Sequence, residues 1–305
     1  MGGSRGHVTS GLAFLALGSW HLFNHIKLHL LHPNSYTCPP WFPTSKIRYI
    51  ELLLIMLFSS IFISTEIFIG HERHRPLDAD GSISTNRLNN LEHSAITISF
   101  FVYAAFAILL DKAAPKAQHG WTQFLGALAF AQQLLLFHFH SADHMGVEGH
   151  YHLLFQCVII VSLATTLMGI GMPKSFMISF LRSLSIFFQG VWLIVTGYML
   201  WTPALIPRGC FLHLEQGQKV VRCSSHEMLH RAKSLVNLLF SWLLVAIAVF
   251  GVTFYLVLAK LYGKNVEHLR LEKEEVKEET DHVELQEKSK LLGESKIFSM
   301  EICTN

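Results

Sequence analysis

The chain of 305 residues is apolar and carries little charge: 51% of its residues are hydrophobic, 15% are charged, and the formal net charge is +2 at pH 7. Ordinary soluble domains are about one quarter charged, so this composition excludes that class and favours a polytopic membrane protein. Lys and Arg are scattered rather than clustered, which argues against nucleic-acid binding. The five cysteines include no CxxC pair, so a zinc ribbon and a thioredoxin-type motif are excluded as well.

Seven windows are long and apolar enough to cross a bilayer, which takes roughly 20 residues of helix. We place them at about 8–28, 47–70, 93–111, 120–139, 150–171, 174–201 and 233–262. Turn-rich stretches such as CPPWFPTS and HERHRPLDADGS separate them. The sequence therefore predicts an all-α fold, a polytopic seven-helix transmembrane bundle over residues 1–262, followed by a soluble, charged and flexible tail over residues 263–305.

Alternation of the spans gathers one carboxylate and several imidazoles on one face of the membrane. They lie at the end of span two, the start of span three, and the facing ends of spans four and five. This set suits zinc or another divalent transition metal. Residues two apart on a helix lie about 200° apart, so neighbouring histidines of FHFH cannot both face the bundle. Spacing selects Glu66, His93, His140 and His152 as the inward metal ligands, with His138 and His150 in reserve.

Polar residues within the spans form two further patterns. Span six carries a stripe at helical spacing, which must face protein or water: Arg182, Ser185, Gln189 and Thr196. An arginine within a span is costly in lipid, and Glu51 in span two is a candidate partner for Arg182. We interpret Gln189 as an interhelical hydrogen-bonding residue. Span one carries a histidine every four residues on one face, which we interpret as a polar interfacial edge: His21, His25 and His29.

The orientation rests on two features, because Lys and Arg are distributed almost evenly between the two sides. Cys210 and Cys223 lie in one loop and could form a disulfide in an oxidising lumen. Glu287, Leu291 and Leu292 resemble an acidic dileucine sorting signal, which must be cytosolic to be read. Together they favour a luminal or extracellular N-terminus and a cytosolic C-terminus. We expect the endomembrane system (Golgi, endosome or vacuole) or the plasma membrane.

Several stretches together resemble the transmembrane protein 45 family, within about residues 5–262. They are RGHVTSGLAFLALGSWHLF, YIELLL, STEIF, NNLEHSA, FHFH, EGHYHLL and LRSLSIFFQGVWLIVTGYMLW. The resemblance implies seven spans and an unknown biochemical function. It picks out His7, Glu51, Glu66, His93, His138, His140, His150, His152, Arg182, Gln189, Gly190 and Trp192. The spacer SADHMGV lacks the proline-containing segment of animal members, so the chain resembles the plant-like ones.

The favoured function is a histidine-rich, non-catalytic multi-pass endomembrane protein with a His/Glu metal site on the luminal side. It would act in trafficking, ion handling or stress and defence responses. The lipid bilayer is its expected partner; a homo-oligomer is allowed, and the sequence identifies no protein partner.

Three alternatives stay open. One is a zinc-dependent membrane hydrolase acting on a lipid-like substrate, with zinc lowering the pKa of bound water to about 7 and Glu66 or Asp143 as general base. Another is a transporter or proton-coupled carrier that uses Glu66, Arg182 and histidines as a relay. Haem binding by histidines of spans four and five is the last. An apolar, lipid-sized cavity that reaches the site would separate a hydrolase from a simple metal binder.

Overall fold

The computed structural model describes residues 4–69, 81, 85–142, 146–215 and 218–263. Within these residues the chain forms seven long helices and a two-stranded sheet. The helices are α1 (Ser4–Leu31), α2 (Ile50–Ser64) with a π-helical turn at Thr65–Ile69, α3 (Thr85–Ala113), α4 (Gln118–Ala142), α5 (Val147–Gly171), α6 (Phe176–Trp201) and α7 (His226–Gly263). Each coincides with one of the windows expected from the sequence.

Five of the helices, α2, α3, α5, α6 and α7, are long and apolar enough to cross a membrane. Helices α1 and α4 are as long as these five helices, but their mean hydropathy is lower, because each carries polar side chains that are buried in the bundle. In α1 these are His21 and His25, and in α4 they are Gln123 and Gln133. The bundle is therefore compatible with an integral membrane protein, and its least apolar helices place polar groups inside.

Helix α1 packs antiparallel along α6, in the most extensive contact between described helices. Glycines spaced by seven residues permit this approach: Gly11 and Gly18 on α1, and Gly190 and Gly197 on α6. A Cβ added to Gly18 would overlap the backbone of Phe187, and one added to Gly190 would overlap the backbone of α1. Small residues that let two backbones meet are the usual device for packing helices in lipid.

The other helices pack mainly on their neighbours in the chain, α2 on α3, α3 on α4, α4 on α5 and α5 on α6. Helix α7 packs on α6, where the ring of Phe240 meets those of Phe188 and Trp192 at 5.2 and 5.0 Å between centroids. Helices α1 and α2 make few backbone contacts with each other, although they are consecutive. The separation of these two helices leaves space between them.

Residues 32–49, the loop that joins α1 to α2, fold across one end of the bundle, which we call the loop end. Cys38 N–H donates to the carbonyl of Pro173 at 2.7 Å, and the Tyr103 hydroxyl donates to the carbonyl of Pro40 at 3.0 Å. The His119 ring lies 2.9 Å from the Cys38 carbonyl. These bonds tie the loop to α3, α4 and the α5–α6 connection.

The opposite end, which we call the hairpin end, carries β1 (Cys210–Glu215) and β2 (Gln218–Cys223) between α6 and α7. The strands are antiparallel, and a disulfide joins the facing Cys210 and Cys223. Arg222 Nε donates to Glu215 at 2.7 Å, and this hydrogen bond lowers the pKa of Glu215. The hairpin departs from the expected all-α fold. It was not predicted because strands of six residues give an alternating pattern too short to recognise.

The contacts divide the chain into two units, Met1–Thr253 and Phe254–Asn305. The first contains the helices up to most of α7, the hairpin and the sites discussed below. Of the second, residues 254–263 are described, as the final turns of α7. The expected charged tail and its sorting motif, Glu287, Leu291 and Leu292, lie outside the described residues.

Candidate functional site

A cavity of about 480 Å³ lies between α1, α2, α3 and α4, in the space that the separation of α1 and α2 leaves. Its middle is apolar and is lined by Ala13, Phe14, Leu17, Leu54, Ile55, Phe58 and Phe100. Ala16 and Leu54 line it and are also exposed on the outside of the bundle, so the cavity opens sideways between α1 and α2. Its volume is within the range of about 300–1,000 Å³ that is usual for ligand pockets.

At the loop end the cavity reaches Glu51, whose side chain is buried. Its Oε2 accepts hydrogen bonds from Trp20 Nε1 and from the backbone N–H of Phe42, both at 2.9 Å. Its Oε1 lies 2.8 Å from His21 Nε2. Three donors on two elements thus hold one carboxylate, and they join the start of α2 to α1 and the loop.

Arg182 is buried at the same end but has different partners. It donates from Nη1 to Gln123 Oε1 at 2.6 Å, and from Nη2 to His25 Nε2 at 3.2 Å. The same Nη2 contacts Cys38 Sγ at 3.3 Å and the carbonyl of Pro39 at 3.4 Å. The expected pairing of Arg182 with Glu51 is therefore wrong, because the carboxylate is bonded to α1 and the loop instead.

The protonation of His25 follows from its neighbours. An arginine can only donate, so His25 Nε2 accepts and Nδ1 carries the proton towards the Tyr36 oxygen at 2.9 Å. Burial raises the pKa of the Tyr36 phenol, which therefore stays neutral. His21 is 5% exposed and His25 is 0% exposed, so their interpretation as an interfacial edge is wrong. The loop of residues 32–49 covers both histidines. The spacing of residues within one helix could not reveal this covering.

Further residues of the α6 stripe form a buried bridge between helices. Gln133 on α4 donates to Gln189 Oε1 at 3.0 Å, and Gln189 donates to Ser162 Oγ on α5 at 2.8 Å. The hydroxyls of Ser162 and Ser185 lie 2.8 Å apart. This chain of bonds links α4, α5 and α6, which is the interhelical role expected for Gln189.

At the hairpin end two histidines from distant parts of the chain meet. The Nε2 atoms of His7 on α1 and His152 on α5 are 3.3 Å apart, and the two rings are parallel within 1°. Trp201 packs against the His7 ring at 4.9 Å between centroids, and Phe137 meets the His152 ring edge-on at 5.5 Å. His7 also lines the cavity, so an apolar space adjoins this pair.

Glu66 and His93 approach the same end from α2 and α3. Glu66 is 2% exposed and lies in the π-helical turn, which packs on α3 one turn beyond the cavity residue Phe62. His93 lines the cavity on α3. Single π-helical turns within α-helices are frequent at functional sites. Four helices thus bring Glu66, His93, His7 and His152 to one end of the cavity.

The remaining candidate ligands have other surroundings. His138 is exposed, with Nδ1 at 3.2 Å from Gln156 Oε1, and His150 Nε2 lies 2.7 Å from Asn237 Oδ1 on α7. The backbone of His140 belongs to α4, but its side chain is outside the described residues. Among the side chains that the structure describes, no three or more His, Cys, Asp or Glu residues group closely enough to hold one ion.

The helical spacing did not identify His7 as an inward-facing residue, because His7 precedes the predicted first span. The family resemblance did single it out. Helix α1 begins at Ser4, several residues earlier than expected, and this extension carries His7 to His152.

One family model matches the chain, over less than half of its length. The match begins at the start of α4 and ends within α7, so it includes Arg182, Gln189, His152 and the hairpin and leaves out α1 to α3. Residues 119–256 match a family of unknown function, DUF716, which is the family that includes the transmembrane protein 45 proteins.

Proposed function

We propose that the chain is a seven-span membrane protein of the transmembrane protein 45 type that binds a divalent transition metal ion at its hairpin end, without turnover. Its setting would be the endomembrane system or the plasma membrane, with a role in trafficking, ion handling or stress response.

The lengths of α1 and α4 support two spans beyond the five apolar helices. Helices α1 and α4 have 28 and 25 residues. At about 1.5 Å per residue, either exceeds the roughly 30 Å of a bilayer core. Both pack within the same bundle as the five apolar helices.

The observation that carries the metal proposal is the 3.3 Å between His7 Nε2 and His152 Nε2. Two nitrogens bound at about 2.0–2.1 Å to one tetrahedral zinc ion are separated by about 3.3 Å. Glu66, His93 and His140 are the further ligands that we propose from the surrounding helices. Movement of these side chains towards the pair on metal binding would complete the coordination.

Metal content tests this proposal directly. Purified wild-type protein, measured by inductively coupled plasma mass spectrometry, should hold about one zinc or similar ion per chain. His7→Ala, His152→Ala and Glu66→Gln should each lose it or bind it much more weakly, since each removes one of the proposed ligands. His150→Ala is the matched control, because His150 bonds Asn237 and should not affect metal content. A metal-free wild type, or equal metal in His7→Ala and His150→Ala, would contradict the proposal.

A zinc-dependent hydrolase is the second candidate, and the apolar cavity that reaches His7 and His93 favours it. Zinc would supply an activated water, and Glu66 would serve as its general base at the end of a space suited to a lipid-like substrate. The zinc-loaded preparation should then hydrolyse a fluorogenic long-chain ester or amide, and Glu66→Gln should abolish this. The carrier alternative has less support, since Arg182 and Glu66 lie at opposite ends of the bundle.

A further inference from the structure

We propose that the cavity between α1 and α2 binds one single-chain lipid, which enters sideways from the bilayer and places its polar end against the histidines. The proposal goes beyond metal binding and does not depend on it, because apolar side chains that cannot ligate a metal form most of the cavity wall. Three features of the cavity support it: where it opens, how long it is, and where its polar groups lie.

The opening faces the part of the surface that would contact hydrocarbon. Ala16 and Leu54 form its rim, and Leu54 is 55% exposed. Next to the rim, α2 exposes Leu53, Leu57 and Ile61. A polar ligand would have to cross this apolar surface to enter, whereas an acyl chain is already dissolved in the medium outside it.

The length of the cavity matches one chain. On α1 its lining runs from Gly6 to Trp20, which at about 1.5 Å per residue is about 21 Å. One leaflet supplies about 15 Å of a hydrocarbon core of about 30 Å. The cavity is therefore long enough for the chain of a single-tailed lipid together with its polar end. With about 480 Å³, it is in the usual range for a small-molecule site.

The polar groups determine the orientation of the lipid. At the hairpin end His7, Ser10 and His93 line the cavity, and imidazole and hydroxyl groups can both donate and accept hydrogen bonds. At the loop end Glu51 already accepts from Trp20 and Phe42 and contacts His21. A second carboxylate there would be repelled, because Glu51 lines the cavity, whereas the carboxylate at the hairpin end, Glu66, does not line it. The structure thus favours a fatty-acid-like molecule with its carboxyl group at the hairpin end.

Photolabelling tests the site. The full chain in phosphatidylcholine vesicles would be incubated with a fatty acid that carries a diazirine in mid-chain, irradiated, and digested for peptide mapping. We expect labels on the α1 and α2 segments around Phe14 and Phe58. Palmitate should suppress them at lower concentration than hexadecane, because hexadecane has no polar end. Equal suppression by the two would overturn the orientation.

Two substitutions should reduce the labelling several-fold. Ala16→Trp would block the rim at a position already exposed, and Ala13→Leu would fill the middle. Ala246→Trp is the control, since Ala246 is exposed on α7 away from the cavity. Unchanged labelling in both cavity variants would overturn the site. Labelling of the cavity by a diazirine phospholipid and not by the fatty acid would overturn the single-chain class. Metal content is measured in parallel, so failure of one proposal is distinguishable from failure of the other.

Discussion

Glu51 and Arg182 are buried at the same end of the bundle, yet neither is the direct partner of the other. Glu51 is bound by side chains of α1 and by a loop amide, and Arg182 by Gln123, His25 and the loop. Removing one member of a buried charged network is costly, because the groups left behind lose their partners. Both residues therefore fasten the loop of residues 32–49 onto the helices.

Replacement of Glu51 measures this role. Glu51→Ala removes the acceptor of Trp20 and Phe42 together with the contact to His21, and it should lower the free energy of unfolding by about 3–5 kcal/mol. Glu51→Gln keeps one oxygen acceptor and should cost about 1–2 kcal/mol. Unfolding in detergent, followed by circular dichroism as SDS is added, gives both values. Similar losses in the two variants would show that the carboxylate charge, not the hydrogen bonds, is what stabilises this end.

At the residue scale the sequence predicted which polar residues are buried better than it predicted their partners. The stripe of Arg182, Ser185 and Gln189 is buried in the bundle, because spacing on one helix is enough to define a face. Partners depend on the loop of residues 32–49, whose path no periodicity specifies. For this reason the burial of His21 and His25 was not foreseen, and Arg182 was assigned the wrong partner.

Helix α1 is positioned chiefly by its contact with α6. Gly11 on α1 faces Gly190 on α6, Gly18 faces the backbone of Phe187, and Gly197 faces the first turns of α1, so the two backbones can touch. The same contact holds α1 away from α2 and so keeps the lateral cavity open. The packing of one helix pair thereby shapes the space beside it.

Gly190→Ala should disturb this contact, because its Cβ would overlap the backbone of Leu15 and α1 would have to move. We expect a loss of about 1–3 kcal/mol, as for other overpacked positions. Gly171→Ala is the control, since a Cβ there meets nothing within 4 Å. The two variants would be compared by thermal unfolding in detergent. Equal midpoints would mean that α1 and α6 do not pack this closely.

At the element scale, hydropathy predicted all seven helices but not the interruptions in the pattern. The π-helical turn at Thr65–Ile69 and the hairpin between α6 and α7 were missed. A π-helical turn inserts one residue into a helix without any change in composition, and it leaves no sequence signal of its own. Hairpin strands such as CFLHLE are too short for their alternation to stand out.

On the scale of the whole molecule, the two ends of the bundle differ in chemistry. The loop end is closed by hydrogen bonds around Glu51 and Arg182, and the hairpin end gathers histidines, Glu66 and the disulfide. The cavity connects the two along α1. With the proposed seven spans, six crossings place the N-terminus and the hairpin on one side of the membrane, and a single crossing places the loop of residues 32–49 on the other. An oxidising lumen on the hairpin side would preserve the disulfide.

Cysteine labelling in sealed microsomes tests this arrangement. In a chain with Cys157→Ser and Cys303→Ser, Lys46→Cys marks the loop end and Ser225→Cys the hairpin end; both positions are exposed. Cys38 is buried, and the disulfide protects Cys210 and Cys223. If the hairpin is luminal, a membrane-impermeant maleimide labels Lys46→Cys in intact vesicles and Ser225→Cys only after detergent is added. The reverse pattern would invert the orientation. Labelling of both in intact vesicles would contradict the seven-span arrangement, since its five crossings between these positions put them on opposite sides.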